Sequence, residues 1–378
     1  MSLRTIWRSP LHVLELTFDG FRNLHPARWT PSEGVNILYG DNAQGKTNLL
    51  EACWLFTGGR SFRGAKDSEM VAFGREEAAL GLRFYAGGRE QEAAVTIRQR
   101  RQVTLNGIHL SAAAKLAGHF CGVVFSPAHL SLIKDGPEGR RRFVDSAYCQ
   151  LKPAYVGALT EYQKALTQRN AFLRQCREKD RFGSAEEEML ELWDHALAAA
   201  GTRLTIARDH YIRRLEPIAA RIYDGLSGGR EQLALSLETA VITDGVAPAD
   251  IARQWMTQLQ LTRRADVAVG HTTAGPHRED LVLTLDSLAV RTYGSQGQQR
   301  SAVLALKLAE ATLLQEVTGE SPVAFLDDVM SELDTSRQDY ILNHIHGWQV
   351  FITCCEPSTA LKNTAAKVFS VKQGVVSE

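Results

Sequence analysis

The sequence carries no excess of charge of either sign: 43 Lys and Arg balance 43 Asp and Glu over 378 residues. That balance excludes a chain that finds nucleic acid by bulk positive charge, so any anionic partner must be met by local clusters. Long apolar runs are missing too. The most apolar stretch, Ser301 to Leu314, is interrupted by Lys307 and Glu310, well short of the ~20 apolar residues that a membrane span needs. No positive segment followed by an apolar one opens the chain, so a secretory leader is not expected and a cytoplasmic location is. Cysteine is sparse, with six residues, no C-x-x-C and no paired Cys/His spacing. This argues against a disulfide framework or a zinc site. Repeats of 20–50 residues and low-complexity tracts are absent. What remains is ordinary globular composition, long enough for two or three structural units at ~150 residues each.

The texture changes along the chain. Residues 11 to 40 read as short strands, including Val35 to Tyr39, and a helix follows from about Thr47 to Phe56. Residues 78 to 110 read as further strands, with Asn106-Gly107 between two apolar runs as a hairpin turn. From about 137 to 225 the strand signals vanish, and Leu190, Trp193, Leu197, Leu204 and Tyr211 recur at roughly helical spacing. Strands are expected again at 231 to 242 and 281 to 291. A helix then covers about Gln298 to Glu316, followed by a buried strand at Val323 to Leu326 and a last strand at Gln349 to Thr353. The expected division is the N-terminal part of an α/β lobe at 1–136, a mainly helical lobe at 137–265, and the C-terminal part of the α/β lobe at 266–378. The two α/β ends would share one sheet system, with the helical lobe inserted between them.

Gly40-Asp41-Asn42-Ala43-Gln44-Gly45-Lys46-Thr47 fits G-x-x-x-x-G-K-[ST] in full, after a β-run and before a helix. In such a loop the backbone N–H groups ring the β-phosphate, and the helix N-terminus adds positive dipole. Lys46 would reach the β- and γ-phosphates and the Thr47 hydroxyl would ligate Mg²⁺. Asn48 joins this nucleotide-binding set. Val323 to Leu326 is an apolar strand ending in Asp327-Asp328, which aims two carboxylates at the carboxyl edge of the sheet, where α/β proteins bind ligands. Asp327 would hold Mg²⁺ through water, and Asp328 would position or deprotonate the attacking water. The next segment, Met330 to Asp334, resembles the loop that follows this strand in ABC-type ATPases and lies at their dimer interface.

Two segments compete for the signature motif of that class. Leu226-Ser227-Gly228-Gly229 matches its usual letters, whereas Gly294-Ser295-Gln296-Gly297-Gln298-Gln299-Arg300 matches less closely. Position favours the second. Ser295 lies 32 residues before Asp327 and just before a helix, whereas Ser227 lies 100 residues before it. Residues 226–229 are therefore read as a turn. Ser295, Gln296, Gly297 and Gln298 are read as the group that meets a γ-phosphate on the other protomer, making ATP the glue of a head-to-tail dimer.

At this point the chain resembles the RecF family of bacterial recombination-repair ATPases, within the SMC-like ABC group. The resemblance covers essentially the whole length. It rests on Phe21-Arg22-Asn23, the phosphate loop, Gly59-Arg60-Ser61-Phe62-Arg63, Phe125-Ser126-Pro127 and Arg140 to Asp145. Thr273 to Leu281, with its Gly-Pro-His-Arg, joins Ser295 to Arg300 and Leu326 to Asp334 to complete the set. The phosphate loop alone is shared by thousands of proteins; the Gly-Pro-His-Arg and Ser-Gln-Gly-Gln-Gln-Arg segments together are far more specific. The resemblance implies an α/β, SMC-like ABC-type ATPase head with an inserted helical lobe and no long coiled coil. It also implies slow ATPase activity, ATP and Mg²⁺ as cofactors, and dimerisation on ATP. DNA at single-strand gaps would be the target, with RecO and RecR as partners in loading RecA, in support of replication restart and the SOS response.

Two departures matter. ABC-type ATPases usually carry Glu where Asp328 stands, and Asp is one methylene shorter. The strand Val350 to Thr353 ends in Cys354-Cys355-Glu356, where many of these ATPases place a His; Thr353 is a candidate for its replacement. By the same resemblance Arg22 and Arg63 are candidates for nucleotide contact. Candidate DNA contacts are Arg98, Arg100 and Arg101 beside the hairpin, and the run Arg140, Arg141 and Arg142. Guanidinium groups suit phosphate contacts that carry no sequence information, and no aromatic interleaving suggests base stacking. The alternative reading, a nucleotide-binding subunit of an ABC transporter, shares both nucleotide motifs. It calls for a literal LSGGQ near the acidic strand and a His after the next one, and both are missing.

Overall fold

A computed structural model describes residues 11–178, 183–356 and 366–378. The chain divides into two compact units. The first comprises residues up to 132, 218–231 and 295–378; the second comprises 133–217 and 232–294.

The first unit is built on a six-stranded sheet in the order 375–377, 366–372, 35–39, 350–354, 323–326 and 122–125. All its pairings are parallel except that of the two C-terminal strands, which form an antiparallel hairpin. The strand Val323–Leu326 is buried throughout, and Val350–Cys354 nearly so. This is the continuous apolar pattern of a parallel sheet covered on both faces. Register aligns Leu326 with Ile352 and Ile37, so three neighbouring strands deliver their carboxyl ends to one edge. A second six-stranded sheet, wholly antiparallel, runs 27–29, 12–19, 78–86, 89–97, 101–105 and 108–110. In Ala78–Ala86 the residues Ala78, Leu80, Leu82, Phe84 and Ala86 are buried in strict alternation, which is what a sheet with one core face requires. Its last two strands turn at Asn106-Gly107, both with positive φ, as the sequence predicts.

The helix Gln296–Thr318 is buried almost all round from Gln299 to Leu314. Its charged pair Lys307 and Glu310 satisfy one another inside the protein, which explains how an otherwise apolar helix carries them.

The second unit packs the helices Pro137–Leu151, Tyr155–Glu178, the first part of Ser184–Ser227, and Pro248–Val269 with a three-stranded antiparallel sheet (233–238, 280–285, 288–289). Tyr162, Leu166, Leu197, Leu204, Ile251 and Trp255 form its apolar core. Beside it, fully buried Arg169 pairs with Asp194 at 2.8 Å and Asp266 at 2.6 Å.

These units shift the expected boundaries. Residues 266–294 belong to the second unit because the strand Asp280–Leu285 pairs along its length with Leu233–Glu238, and Glu279 and Asp280 bond Arg208 and Arg140. Residues 218–231 belong to the first because Gly225 packs against Tyr340 and Glu231 accepts from Gln298. The division falls at Pro217, inside the 44-residue helix. The strand expected to be last is followed by the two-strand C-terminal hairpin, a further difference. The expectation about a leader concerns residues that lie outside those described.

Candidate functional site

The phosphate loop lies between the strand Val35–Tyr39 and the helix Lys46–Trp54, at the carboxyl edge where the parallel strands end. Gly45 caps that helix with φ 116°, a backbone state that a Cβ disfavours. Lys46 is almost fully buried. Its ammonium spans the loop from inside, donating to the carbonyls of Gly40 at 2.6 Å and Asp41 at 3.0 Å. The Thr47 hydroxyl donates to Asp327 Oδ1 at 2.7 Å, although 280 residues separate them. The sequence thus names two residues that the fold brings together at the ends of the first and last motifs.

Asp327 is itself mostly buried. Burial pushes its carboxyl above the ordinary range, the hydrogen bonds from Thr47 and Thr353 oppose that rise, and the neighbouring Asp328 adds to it. Asp328 is half-buried and sits at φ 48°, an uncommon state for a residue other than glycine. A hydroxyl beside a buried carboxylate at the mouth of an N–H-lined loop is the donor set that a hard, oxygen-seeking cation and a phosphate chain require.

Other loop residues meet protein partners that the sequence did not reveal. The C-terminal hairpin turns at Gln373-Gly374 against the loop. Gln373 N–H donates to Gln44 Oε1 at 2.6 Å, Gly374 N–H to the Gln44 carbonyl at 2.8 Å, and His25 N–H to the Gly374 carbonyl at 2.9 Å. The Gln44 side chain is therefore committed to the hairpin. Asn42 Oδ1 accepts from the Cys355 thiol at 3.3 Å.

Arg22, a candidate for nucleotide contact, meets protein partners that the sequence did not reveal. Its guanidinium grips buried Glu51 through Nε at 2.9 Å and Nη2 at 3.1 Å, and donates to the Glu69 carbonyl at 2.9 Å. Engaged at all three nitrogens, it braces the helix after the phosphate loop. The Ser61 hydroxyl also donates to Glu51. Arg63 donates to Asn48 Oδ1 at 2.9 Å, Asn48 to Asn23 Oδ1 at 2.7 Å, and Asn23 to the Ala43 carbonyl at 3.2 Å. This three-bond line ties Arg63 to the crest of the phosphate loop. Asn23 and Glu51 are the functional neighbours missed by sequence reasoning; the Phe-Arg-Asn string held the only signal.

Ser295 caps the helix Gln296–Thr318 in a reciprocal box. Its hydroxyl accepts from Gln298 N–H at 3.2 Å, and its own N–H donates to Gln298 Oε1 at 2.6 Å. Ser-x-x-Gln ahead of an apolar run signals this cap in the sequence. Ser295, Gln296 and Gly297 are exposed, and Gln298 also donates to Glu231 at 2.5 Å. Arg300 donates to the Glu332 carbonyl at 3.1 Å, and Arg337 Nη2 to Ser301 Oγ at 2.9 Å. Those two arginines stitch the helix Gln296–Thr318 to the loop that follows Asp328 and to the next helix, Thr335–His344. By contrast, Gly228 and Gly229, both with positive φ, donate to the Asp224 carbonyl and end a helix, so the literal Leu-Ser-Gly-Gly string is a helix stop.

The arginine clusters divide. Arg140 is buried and fork-bonded to Asp280 at 2.7 and 2.6 Å, which removes it from the candidate DNA contacts. Arg141 donates to the Glu279 carbonyl at 2.7 Å, and Arg101 is held by Asp67 and by the Gly59 carbonyl. Arg98 pairs with Glu77 at the surface. Arg100 and Arg142 are exposed, Arg142 with Glu138 at 3.8 Å.

The family described as RecF/RecN/SMC N terminal domain matches residues 12–377. The DNA replication and repair protein RecF of Acetivibrio thermocellus is 37% identical, covering 92% of this chain and 94% of its own. That of Symbiobacterium thermophilum is 39% identical over 92% of each. The chain belongs to the RecF family. A RecF structure described as the recombination mediator protein RecF-ATP in the RecFOR pathway covers 99% of both chains, with TM-score 0.89 and 34% identity. An SMC head domain from Pyrococcus furiosus, 14% identical with TM-score 0.52, shares the fold. The fold is therefore that of the SMC-like ABC-type ATPase head that the RecF family uses. Nothing in these likenesses supports a transporter subunit, and no helix among the described residues is long and apolar enough to cross a membrane.

Proposed function

We propose that this RecF-family chain is an ATP-dependent DNA-binding repair protein of the cytoplasm. It would dimerise on ATP at single-strand gaps in DNA and act with RecO and RecR to load RecA, supporting replication restart and the SOS response. The observation that carries the reading is the Thr47–Asp327 hydrogen bond, which joins a complete phosphate loop to the acidic strand. Relatives described as RecF-ATP and as part of the RecFOR pathway support it.

In this reading the loop N–H groups from Asp41 to Thr47 bind the phosphates, and Lys46 exchanges its two carbonyl acceptors for phosphate oxygens. Thr47 and Asp327 would hold Mg²⁺, which when bound neutralises phosphate charge. Asp328 orients the attacking water and takes its proton. Because Asp reaches one methylene less far than Glu, turnover is slow; Asp328→Glu should raise it, and unchanged or lower turnover removes that explanation. The exposed Ser295 to Gly297 stretch, braced by Gln298, offers the Ser295 hydroxyl and the positive helix N-terminus to the nucleotide of the other protomer. For DNA, Arg100, Arg142 and Arg98 remain able to meet phosphate, since a surface pair such as Arg98–Glu77 is worth only about 0–1 kcal/mol and exchanges readily.

Fluorescence anisotropy with a gapped duplex tests this reading. Affinity should rise strongly on adding ATP and fall steeply between 50 and 200 mM salt, as phosphate contacts require. Equal affinity without ATP, or a flat salt response, overturns it.

A further inference from the structure

We infer that Thr353 is a positioning residue that aligns the two carboxylates of the acidic strand. The inference rests on the nucleotide-site reading and extends it. Thr353 lies near the end of the strand Val350–Cys354, one residue past the Leu326–Ile352 pair on one side and opposite Leu38 on the other. It is fully buried. Its hydroxyl does two things at once. The O–H donates to Asp327 Oδ1 at 3.1 Å, and the oxygen accepts the Asp328 backbone N–H at 2.8 Å.

Each bond has a separate consequence. The first joins the Thr47 hydroxyl on the same oxygen of Asp327, 2.7 Å away. Two donors, one from the first turn of the helix Lys46–Trp54 and one from the end of the neighbouring strand, thus fix the carboxylate's rotation and leave its plane set for a cation. The second holds the peptide between Asp327 and Asp328. Asp328 sits in the left-handed region at φ 48°, a state that persists only when its surroundings determine it. The Thr353 oxygen is the acceptor that secures this turn, and so it sets where the Asp328 carboxylate points. A valine has nearly the same shape but can neither donate nor accept; a serine keeps both functions without the methyl. No other threonine or serine among the described residues bonds both parts of this pair.

The test compares the parent chain with Thr353→Val, Thr353→Ser and Thr353→Ala. Binding of a fluorescent ADP analogue is measured over a Mg²⁺ titration, ATP turnover is measured separately, and thermal melting reports folding. Removing a group that orients a metal ligand typically costs 10–100-fold in metal affinity or activity. Thr353→Val should therefore raise the Mg²⁺ concentration at half-saturation at least tenfold. It should also lower kcat by a similar factor with little change in KM for ATP, and leave Mg²⁺-free nucleotide binding within about twofold of the parent. Thr353→Ser should restore both quantities. Should the valine variant not fold, Thr353→Ala against Thr353→Ser makes the same comparison. A valine or alanine variant that matches the parent, or a serine variant as impaired as they are, overturns the inference alone. A parent chain that binds no nucleotide with Mg²⁺ overturns the nucleotide-site reading and the inference with it.

Discussion

Gly374 lies in the last turn of the chain, more than 300 residues from the phosphate loop, yet the structure makes the loop depend on it. A Cβ at this position would lie 1.9 Å from the Asn23 carbonyl oxygen, and φ is 80°. Gly374→Ala therefore meets two costs. The left-handed backbone disfavours alanine by about 1–2 kcal/mol, and the clash with main chain forces the turn away from residues 23–25. Three hydrogen bonds go with it, from Gln373 and Gly374 to Gln44 and from His25 to Gly374. At about 1 kcal/mol net each, the two that land on Gln44 remove about 2 kcal/mol of support from the binding conformation of the loop. The apparent Kd for ATP should then rise by up to about 30-fold. Equilibrium titration with a fluorescent ATP analogue measures this directly. Gly347→Ala is the matched control: φ there is 82°, but an added Cβ meets nothing within 4 Å. It carries the backbone cost without the clash, so its Kd should stay near the parent's. Equal affinity for the parent and Gly374→Ala would refute the reasoning.

Three further outcomes follow, two from arginines and one from a partly buried histidine. Arg140→Ala strands the Asp280 carboxylate, so it should lower the melting temperature while leaving the salt dependence of DNA binding unchanged. Arg100→Ala should do the opposite, weakening DNA binding about equally for all sequences and reducing the salt slope by about 1. His277 gives a pH dependence. Burial holds its pKa down at about 4, against an ordinary 6.5, in a site where it bonds Tyr162 and the Thr272 carbonyl. The folded state thus takes up its proton later than the unfolded state. Stability is fully present above pH 6.5 and is lost as pH falls towards 4, by about 3 kcal/mol at the most. Denaturant melts of the parent and His277→Gln from pH 7 to 4 should converge as the pH falls; a constant gap would contradict this assignment.

The parts of the site that were legible in the sequence are those whose chemistry is local. A phosphate loop needs its glycines, lysine and threonine in one run, and the acidic pair follows an apolar strand directly. Both strings were readable, as were the helix start at Ser295 and the helix stop at Gly228-Gly229, because each is marked by its own residues. Arg140 was not legible as a structural residue, since its partner Asp280 lies 140 positions away and a run of three arginines looks alike whether buried or solvated. The C-terminal hairpin was missed because Ala366–Lys372 buries only Phe369 and Val371 fully, leaving a faint alternation. Its importance came from its contact with Gln44, which only the fold supplies. Unit boundaries were off for a related reason: the strand Asp280–Leu285 chooses its partner in three dimensions.

The central claim is that the exposed Ser295 cap completes a nucleotide site on a second copy of the chain. Size-exclusion chromatography with light scattering, with ATP or a slowly hydrolysed analogue and gapped DNA, tests it most directly. The parent should shift from the chain mass of 41.8 kDa to twice that value only when nucleotide is present. Ser295→Arg should bind nucleotide through its intact phosphate loop, keep its fold apart from a cap worth about 1 kcal/mol, and remain a monomer. A parent chain that stays monomeric with saturating nucleotide, or a Ser295→Arg chain that dimerises as the parent does, contradicts the account.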